Sequence, residues 1–361
     1  MNNDNEIKTL ECVEHIRRRP GVYVGKPGDG SDADDGLYIL LKVIINNSVD
    51  EFRFGFGKDI VVNLDGNRLS VRDFGRGIDF GRLEHFKEKL VNTGFAHRTV
   101  VLVGVGLTVV ITLSSEATIT SYRRGLMKRI TTSRGKIVYI DETQPTKEPD
   151  GLLVSFIPDS QIFENYKIRT DYIREALKVY SVCNPGLKLE FDNETFSAPN
   201  GMLNLVNELS GTPDKQRAIH IVDDLCDIAF APANNPGEGK MQSFVNGNPT
   251  IMVGTHVKAL IDALHTSMKN RISQRILKCD IPADLIICIN IKIEEPQFES
   301  STKTRLASRD MSEGGKSIKQ YIHELIGGNL PKLFDLNPDL ERSFKQAFNR
   351  IDNSLHQENY V

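Results

Sequence analysis

Cysteine is scarce in this sequence of 361 residues, which contains five and no Cys-x-x-Cys pair. An odd number without that spacing argues against both a disulfide framework and a zinc site. The usage fits a reducing compartment, and we expect the protein in the cytoplasm.

Long apolar runs and a strong net charge are also missing. No stretch approaches the roughly 18 uninterrupted apolar residues of a membrane span, and the polar start MNNDNEIK lacks a signal-peptide core, so we expect no membrane association. The formal net charge of −3 gives no overall attraction to polyanions, and any phosphate contact must be local, for example at Arg17, Arg18 and Arg19.

What is present is a soluble, globular composition, with 39% hydrophobic and 26% charged residues. The length favours two domains, and a polar connection near residue 200 divides the chain into 1–200 and 201–361. In the first part the pattern predicts a helix over about 34–54, a hairpin of DIVVNL and RLSVRDF, further antiparallel strands and a helix over 169–182. In the second part it predicts strands over 217–231 and 240–246, a helix over 255–273, the strand DLIICINIKI, and helices near 315–326 and 337–355. Both domains are predicted to be α+β.

Three separated stretches could carry chemistry. In VIINNSVDEF (43–52), helical spacing places Val43, Asn47, Asp50 and Glu51 on one face. The stretch VRDFGRGID (71–79) ends a strand in an acid followed by glycines, and LVGVGLTVV (102–110) places glycines at the start of an apolar helix. Taken singly, each has an ordinary structural explanation: an exposed helix face, a glycine turn and a weak Gly-x-Gly pattern.

Taken together, in this order and spacing, the three stretches resemble the nucleotide-binding domain of the GHKL ATPases, which have the Bergerat fold. The resemblance extends to the B subunits of type II topoisomerases through HIRRRPGVYVGK, FVNGNPTIMVGTHVKAL and FESSTKTRLAS. It is greatest for topoisomerase IV and gyrase B. It implies a Bergerat-fold α/β sandwich followed by a smaller α+β transducer domain.

The resemblance also implies roles for individual residues in binding ATP and Mg²⁺. Asn47 corresponds to the asparagine that ligates Mg²⁺, which bridges the phosphates, and an amide oxygen is a suitable ligand. Asp73 corresponds to the aspartate that accepts the adenine amino group. Gly77 corresponds to the glycine that lets the base approach the backbone.

Further family positions concern the phosphates and the wall of the pocket. Gly104 and Gly106 correspond to the turn that cradles the phosphates. Lys303 corresponds to the second-domain lysine that reaches the terminal phosphate, and Glu51 and Arg76 to a structural ion pair that braces the pocket.

The principal departure from the family pattern is Val43, which stands where a glutamate acts as general base. Loss of a positioned base typically costs about 10² to 10⁴ in rate. Lys42 lies about 100° round the helix and as a cation would not accept the proton. Asn46 replaces an aspartate and removes another negative charge.

The lid of the family's nucleotide site departs as well. Before Gly104, the β-branched residues Val100, Val101 and Val103 replace small or polar ones, and they disfavour the backbone geometry of a glycine-rich lid. We therefore expect impaired closure over a triphosphate.

Two further positions lose polar groups. Leu152 replaces a threonine whose hydroxyl helps to orient the adenine-binding aspartate through water, so we expect Asp73 to be buried with fewer partners. Ser301 replaces a glutamine near the terminal phosphate, and the leader has no match to the tyrosine that crosses to the partner's nucleotide. The sequence also ends before a TOPRIM domain, which predicts that it does not form the whole of a topoisomerase B chain.

Two principal hypotheses follow. The first is a noncatalytic relative, or pseudo-ATPase, that binds ATP and Mg²⁺ weakly or not at all and pairs with itself or with a topoisomerase B chain, with possible contacts to an A chain or DNA. The second is a functional, ATP-hydrolysing part of a type II topoisomerase with its base from elsewhere. Plain DNA binding through the basic residues of 255–275 and 303–320 is a third, for which a solvated helix face is the simpler explanation.

Overall fold

The computed structural model describes residues 12–83, 105–211, 217–235, 237–269, 271, 280–299 and 303–357. These residues divide into two compact units. The first lies within Met1–Ser181 and Gly186–Ser197, and the second within Val182–Pro185 and Ala198–Val361. No helix in these ranges is both long and apolar enough to cross a membrane.

The helices of the first unit include the long helix predicted near its start. The described helices are α1 (Cys12–Arg18), α2 (Gly21–Val24), α3 (Gly36–Arg53), α4 (Val105–Thr112) and α5 (Thr170–Cys183). The last two residues of α5 belong to the second unit. The prediction of α3 is confirmed. Helix α3 forms because apolar residues recur every three or four positions, and Leu37, Leu41, Ile44 and Ile45 are buried in the core.

The first unit also contains a nine-stranded sheet. Its strands are β1 (Asp59–Asp65), β2 (Arg68–Asp73), β3 (Ser114–Arg123), β4 (Leu126–Ser133), β5 (Lys136–Ile140), β6 (Gln144–Pro145), β7 (Gly151–Pro158), β8 (Lys188–Phe191) and β9 (Glu194–Ser197). The order is β5-β4-β3-β7-β2-β1-β8-β9, and β6 pairs with β4. The predicted hairpin β1–β2 is confirmed. All pairs in this sheet are antiparallel except β1 with β8.

Alternation along β2 determines which of its residues face the core. Leu69, Val71 and Asp73 are buried, whereas the residues between them are half-buried. The acid that ends β2 therefore lies on the core-facing side of the sheet, in register with two aliphatic residues.

A buried carboxylate fixes the far end of α4. Asp159, which is fully buried, accepts hydrogen bonds from Arg17 Nη2 at 2.7 Å and from Arg134 Nε at 2.9 Å. Arg17 Nη1 also donates to the carbonyl oxygen of Thr112, the last residue of α4, at 2.9 Å. This arrangement links α1, α4 and the end of β7.

The second unit contains a five-stranded sheet with helices. Its strands are β10 (Ile219–Val222), β11 (Cys226–Pro232), β12 (Lys240–Val245), β13 (Asn248–Pro249) and β14 (Leu285–Ile291), in the order β10-β11-β14-β12-β13. Its described helices are α6 (Met202–Leu209), α7 (Thr255–Lys269), α8 (Asp280–Asp284), α9 (Ile318–Leu336) and α10 (Pro338–Gln357). Every residue of β14 is buried, as expected for the central strand.

The sequence interpretation was wrong about two helices of this unit. It ended a helix near 326, where Gly327 and Gly328 follow, but α9 continues to Leu336 and even includes Pro331. The reason is packing, because Ile318, Ile322, Ile326, Leu330 and Phe334 form a continuous buried stripe. Helix α6 was not predicted at all, since the chain near residue 200 was interpreted as a polar connection between the domains.

A histidine is enclosed in the core of the second unit. His256, in the first turn of α7, is fully buried, and burial lowers its pKa to about 4. Its Nε2 lies 3.4 Å from Thr250 Oγ1, whereas its Nδ1 makes no hydrogen bond.

Candidate nucleotide site

The start of α4 packs against α3, and Val43 comes close to Gly106. Val43 of α3 is half-buried, and its Cγ1 would lie only 2.6 Å from a Cβ built on Gly106. A side chain at position 106 would therefore require Val43 to move, and a glycine there avoids the clash. Gly104 and the valines at 100, 101 and 103 lie outside the described residues.

The polar neighbours of Val43 on α3 are occupied elsewhere. Lys42 Nζ donates to the carbonyl of Ala33 at 3.3 Å, and burial lowers the pKa of the Lys42 ammonium. Asn46 Oδ1 accepts a hydrogen bond of 2.8 Å from the Tyr180 hydroxyl. Neither an ammonium nor an amide is a base that could take a proton from water at neutral pH.

Asp73 forms the most polar part of the buried site. Asp73 is 5% exposed, and its carboxylate accepts hydrogen bonds from three donors among the residues that the structure describes. Oδ1 accepts from the backbone N–H groups of Gly75 at 3.0 Å and Leu152 at 3.2 Å, and Oδ2 accepts from the Ser48 hydroxyl at 3.0 Å. The Leu152 side chain is apolar and donates no hydrogen bond to Asp73, whereas its backbone N–H and the Ser48 hydroxyl do. That Asp73 has fewer partners than its counterparts in the family stays a prediction.

Two opposing effects act on the pKa of the Asp73 carboxyl. Burial raises the pKa of its carboxyl above the ordinary value, whereas the hydrogen bonds from Gly75, Ser48 and Leu152 lower it in part. Each carboxylate oxygen can accept about two hydrogen bonds. Three donors leave one acceptor position on Oδ2, which suits a donor such as the amino group of adenine.

The turn after β2 comes very close to the neighbouring strands. Gly77 has φ of 64°, and a Cβ there would lie 2.7 Å from the carbonyl oxygen of Tyr122 and 2.8 Å from that of Gly151. Arg123 Nη1 donates to the carbonyl oxygen of Gly77 at 3.2 Å. A side chain at position 77 would thus face both backbone strain and a steric clash.

The same turn is tied to α3 by an ion pair. Arg76 donates from Nε at 3.0 Å and from Nη2 at 2.8 Å to the two carboxylate oxygens of Glu51, and its backbone N–H donates to the same carboxylate at 3.0 Å. The hydrogen bonds from Arg76 hold the pKa of Glu51 below its ordinary value. The guanidinium also stacks 4.3 Å from the Phe56 ring centre.

The remaining predicted contact residues are Asn47 and Lys303. Asn47 is exposed on α3, and Lys303 is exposed in the second unit with φ of 56°. Ser301 lies outside the described residues. The structure thus groups Val43, Asn47, Glu51, Asp73, Arg76, Gly77 and Gly106 around α3, β2 and the start of α4 in the first unit.

The side chains around Asn47 provide only some of the ligands that a magnesium ion needs. Its amide oxygen is a hard ligand of the right type, but the nearby carboxylate of Glu51 is engaged by Arg76. Among the described residues there is no group of three His, Cys, Asp or Glu side chains that could hold a metal ion. Mg²⁺ at Asn47 would therefore need phosphate oxygens and water to complete its ligands.

Sequence reasoning missed two contributors to this region, Ser48 and Tyr180. Ser48 could have been noticed as a hydroxyl between apolar residues on the buried face of α3. Tyr180 comes from α5 and its contact with Asn46 spans 134 positions, which no local pattern reveals.

Comparison with known proteins shows which families this chain resembles. Residues 201–348 match the family model described as DNA gyrase B. The B chain of DNA topoisomerase 4 from Borreliella burgdorferi is 33% identical over 90% of this chain and 55% of its own length. The B chain of DNA gyrase from Thermotoga maritima is 29% identical over 93% of this chain and 57% of its own. The chain thus spans about half the length of these curated relatives.

Solved structures share the fold. The 43K ATPase domain of Thermus thermophilus gyrase B superposes with a TM-score of 0.77 at 22% identity, covering 98% of this chain and all of that one. The topoisomerase IV ATP binding domain of Francisella tularensis gives a TM-score of 0.70 at 22% identity, covering 95% of this chain and 97% of that one. The fold is therefore the α+β fold of the GHKL ATPase domains, as the sequence predicts. Residues 201–348 thus resemble DNA gyrase B, and nearly the whole chain is similar in sequence and in fold to the B chains of gyrase and topoisomerase IV.

Proposed function

We propose that this chain is an ATPase-like arm of a type II topoisomerase or of a close relative, with a nucleotide-binding domain over 1–200 and a transducer domain over 201–361. In this proposal it binds ATP with Mg²⁺ weakly and hydrolyses it inefficiently, so it acts as a noncatalytic partner or regulator. The observation that carries the proposal is the contact of Val43 with Gly106.

The argument for binding starts from Asp73. A buried carboxylate with one remaining acceptor position is costly unless a donor reaches it, and the adenine amino group is such a donor. Gly77 keeps the adjoining turn free of a side chain. Asn47 would supply an amide oxygen to Mg²⁺, and Gly104, Gly106 and Lys303 are proposed to contact the phosphates.

The argument against hydrolysis starts from Val43. Attack on the terminal phosphate needs a group that positions water and accepts its proton. The valine at the base position can do neither, and its methyl group fills the place beside the first turn of α4. Lys42 and Asn46 offer no substitute because one is a cation and the other is an amide bonded to Tyr180.

A role in an assembly follows from the names of the relatives. They are named as subunits of gyrase or topoisomerase IV, so we propose that this chain pairs with itself or with a catalytic gyrase B-like or topoisomerase IV B-like chain in the cytoplasm. Contacts with a topoisomerase A chain or with DNA belong to the same proposal.

Hydrolysis by Val43→Glu provides the first test. We expect phosphate release by the wild-type chain to be at background and Val43→Glu to raise it at least about tenfold, since a positioned base is worth about 10² to 10⁴. Val43→Gln is the matched control, because it has similar size but cannot accept the proton, and it should stay at background. Wild-type hydrolysis that Lys303→Ala abolishes would instead establish a working ATPase.

Binding is tested separately by calorimetry with a nonhydrolysable ATP analogue and Mg²⁺. We expect weak binding to the wild-type chain and none to Asp73→Ala. If the wild-type chain binds no analogue, the nucleotide-binding half of the proposal is wrong.

A further inference from the structure

We propose that Ser48 is a positioning residue for Asp73 and thereby makes the site selective for a base that carries an amino group. This inference rests on the proposed nucleotide site and deepens it. The family resemblance places the hydroxyl that orients the aspartate on β7, at the position of Leu152. Here we assign that function to Ser48 on α3.

The contact between the two side chains is buried and direct. Ser48 is 3% exposed and Asp73 is 5% exposed, and Ser48 Oγ lies 3.0 Å from Asp73 Oδ2. The only other acceptor that the hydroxyl meets among the described residues is the carbonyl of Ile44, at 3.4 Å. A hydroxyl has one proton, and the shorter contact to an ionised oxygen is the stronger, so the proton points to Asp73.

This bond decides which part of the carboxylate remains open. The backbone N–H groups of Gly75 and Leu152 both donate to Oδ1 and fill it. Ser48 takes one of the two acceptor positions of Oδ2 and leaves the other for a ligand. The ligand group at that position must be a donor, which selects the 6-amino group of adenine over the 6-oxo group of hypoxanthine or guanine.

Leu152 shows why the serine matters here. Its side chain is apolar, so strand β7 contributes only the backbone N–H to Asp73. Without the Ser48 hydroxyl, no described protein group would donate to Oδ2. The carboxylate would then be free to turn or to hold a water molecule, and the position facing the base would no longer be fixed.

The test compares four proteins: the wild-type chain, Ser48→Ala, Leu152→Thr and the double variant. Calorimetry measures the affinity of each for nonhydrolysable adenosine and inosine triphosphate analogues with Mg²⁺. We expect Ser48→Ala to weaken the adenosine analogue about tenfold, the value of one hydrogen bond to a charged group, and to leave the inosine analogue nearly unchanged. Leu152→Thr should restore the preference in the Ser48→Ala background, because it returns a hydroxyl from β7.

A titration separates this role from a purely structural one. In carbon-detected NMR, the Asp73 carboxyl should titrate at higher pH in Ser48→Ala than in the wild-type chain, and the double variant should return it towards the wild-type value. Unchanged titration, or an unchanged adenosine preference in Ser48→Ala, would overturn the inference while leaving the proposed nucleotide site intact. Failure of the wild-type chain to bind either analogue would overturn both the site and the selectivity.

Discussion

Arg76 holds Glu51 by both its side chain and its backbone, so that the turn after β2 is fastened to α3 at three points. Glu51 lies so close to this turn that a Cβ built on Gly75 would be 2.9 Å from the Cβ of Glu51. The charged pair is partly exposed, but the backbone hydrogen bond gives it a structural effect beyond that of a surface ion pair.

Removal of this carboxylate should loosen the turn. We expect Glu51→Ala to speed amide hydrogen exchange of Arg76 about tenfold, because its N–H loses its acceptor. Asp50→Asn is the matched control, since Asp50 lies beside Glu51 on α3 and contacts Arg53 at 3.6 Å instead of Arg76. Equal exchange in both variants would contradict the role given to Glu51.

Gly77 and Gly66 provide a second comparison. Both have positive φ, 64° and 57°, but a Cβ at Gly66 would meet nothing within 4 Å, whereas one at Gly77 would meet two carbonyl oxygens. We expect Gly66→Ala to lower the free energy of unfolding by about 1 kcal/mol from backbone strain. Gly77→Ala adds overpacking and should cost about 2 to 4 kcal/mol in urea unfolding. Similar costs for the two would mean that close approach at Gly77 is unimportant.

Asp159 is predicted to stabilise the first unit in a pH-dependent way. Burial tends to raise the pKa of its carboxyl, but the hydrogen bonds from Arg17, from the Gln161 backbone and from Arg134 outweigh burial and place the pKa below its ordinary value. The stabilisation should therefore be complete above about pH 4 and disappear as the pH falls through the lower folded pKa.

Substitution of this buried acid tests the prediction. Asp159→Asn should lower the free energy of unfolding by about 2 to 4 kcal/mol at pH 7, because two guanidinium groups lose their carboxylate. Asp192→Asn removes a carboxylate that Arg174 contacts at an exposed position and should cost much less. The two variants can be compared by urea unfolding at pH 7 and pH 3, where the difference between them should shrink.

His256 predicts a pH dependence for the second unit. Its pKa is about 4 when folded and ordinary when unfolded, so the unfolded chain binds an extra proton between these values. Stability should be complete above about pH 6.5 and fall by about 2 kcal/mol by pH 5. His256→Gln cannot titrate and should lose less stability over this interval in unfolding followed by a probe in the second unit. An identical loss in both proteins would assign the pH dependence to other groups.

The sequence was sufficient for elements whose pattern is local. Helix α3 repeats its apolar residues at helical spacing, and the β1–β2 hairpin has alternating strands around a Gly66 turn, so both were predicted correctly. The extension of α9 past Gly327 and Gly328 was missed, because helix propensity there is overridden by burial of Leu330 and Phe334.

The candidate site was predictable to a similar extent. Asp73 could be singled out because it ends a strand before a glycine turn, and the family resemblance gave it a role. The donors that surround it could not be, since Ser48 comes from a helix 25 positions away and Leu152 acts through its backbone, which has no signature in the side-chain pattern.

The parallel pairing of β1 with β8 bears on how the chain folds during synthesis. Asp59 lies opposite Lys188, so β1 remains an edge strand until the ribosome has released nearly the whole first unit. Contacts of such long sequence separation slow folding and leave an unpaired edge open to association. Newly made chains should therefore be most prone to aggregation before residue 191 emerges, and a stalled nascent chain ending ahead of β8 should be more sensitive to protease than one ending beyond β9.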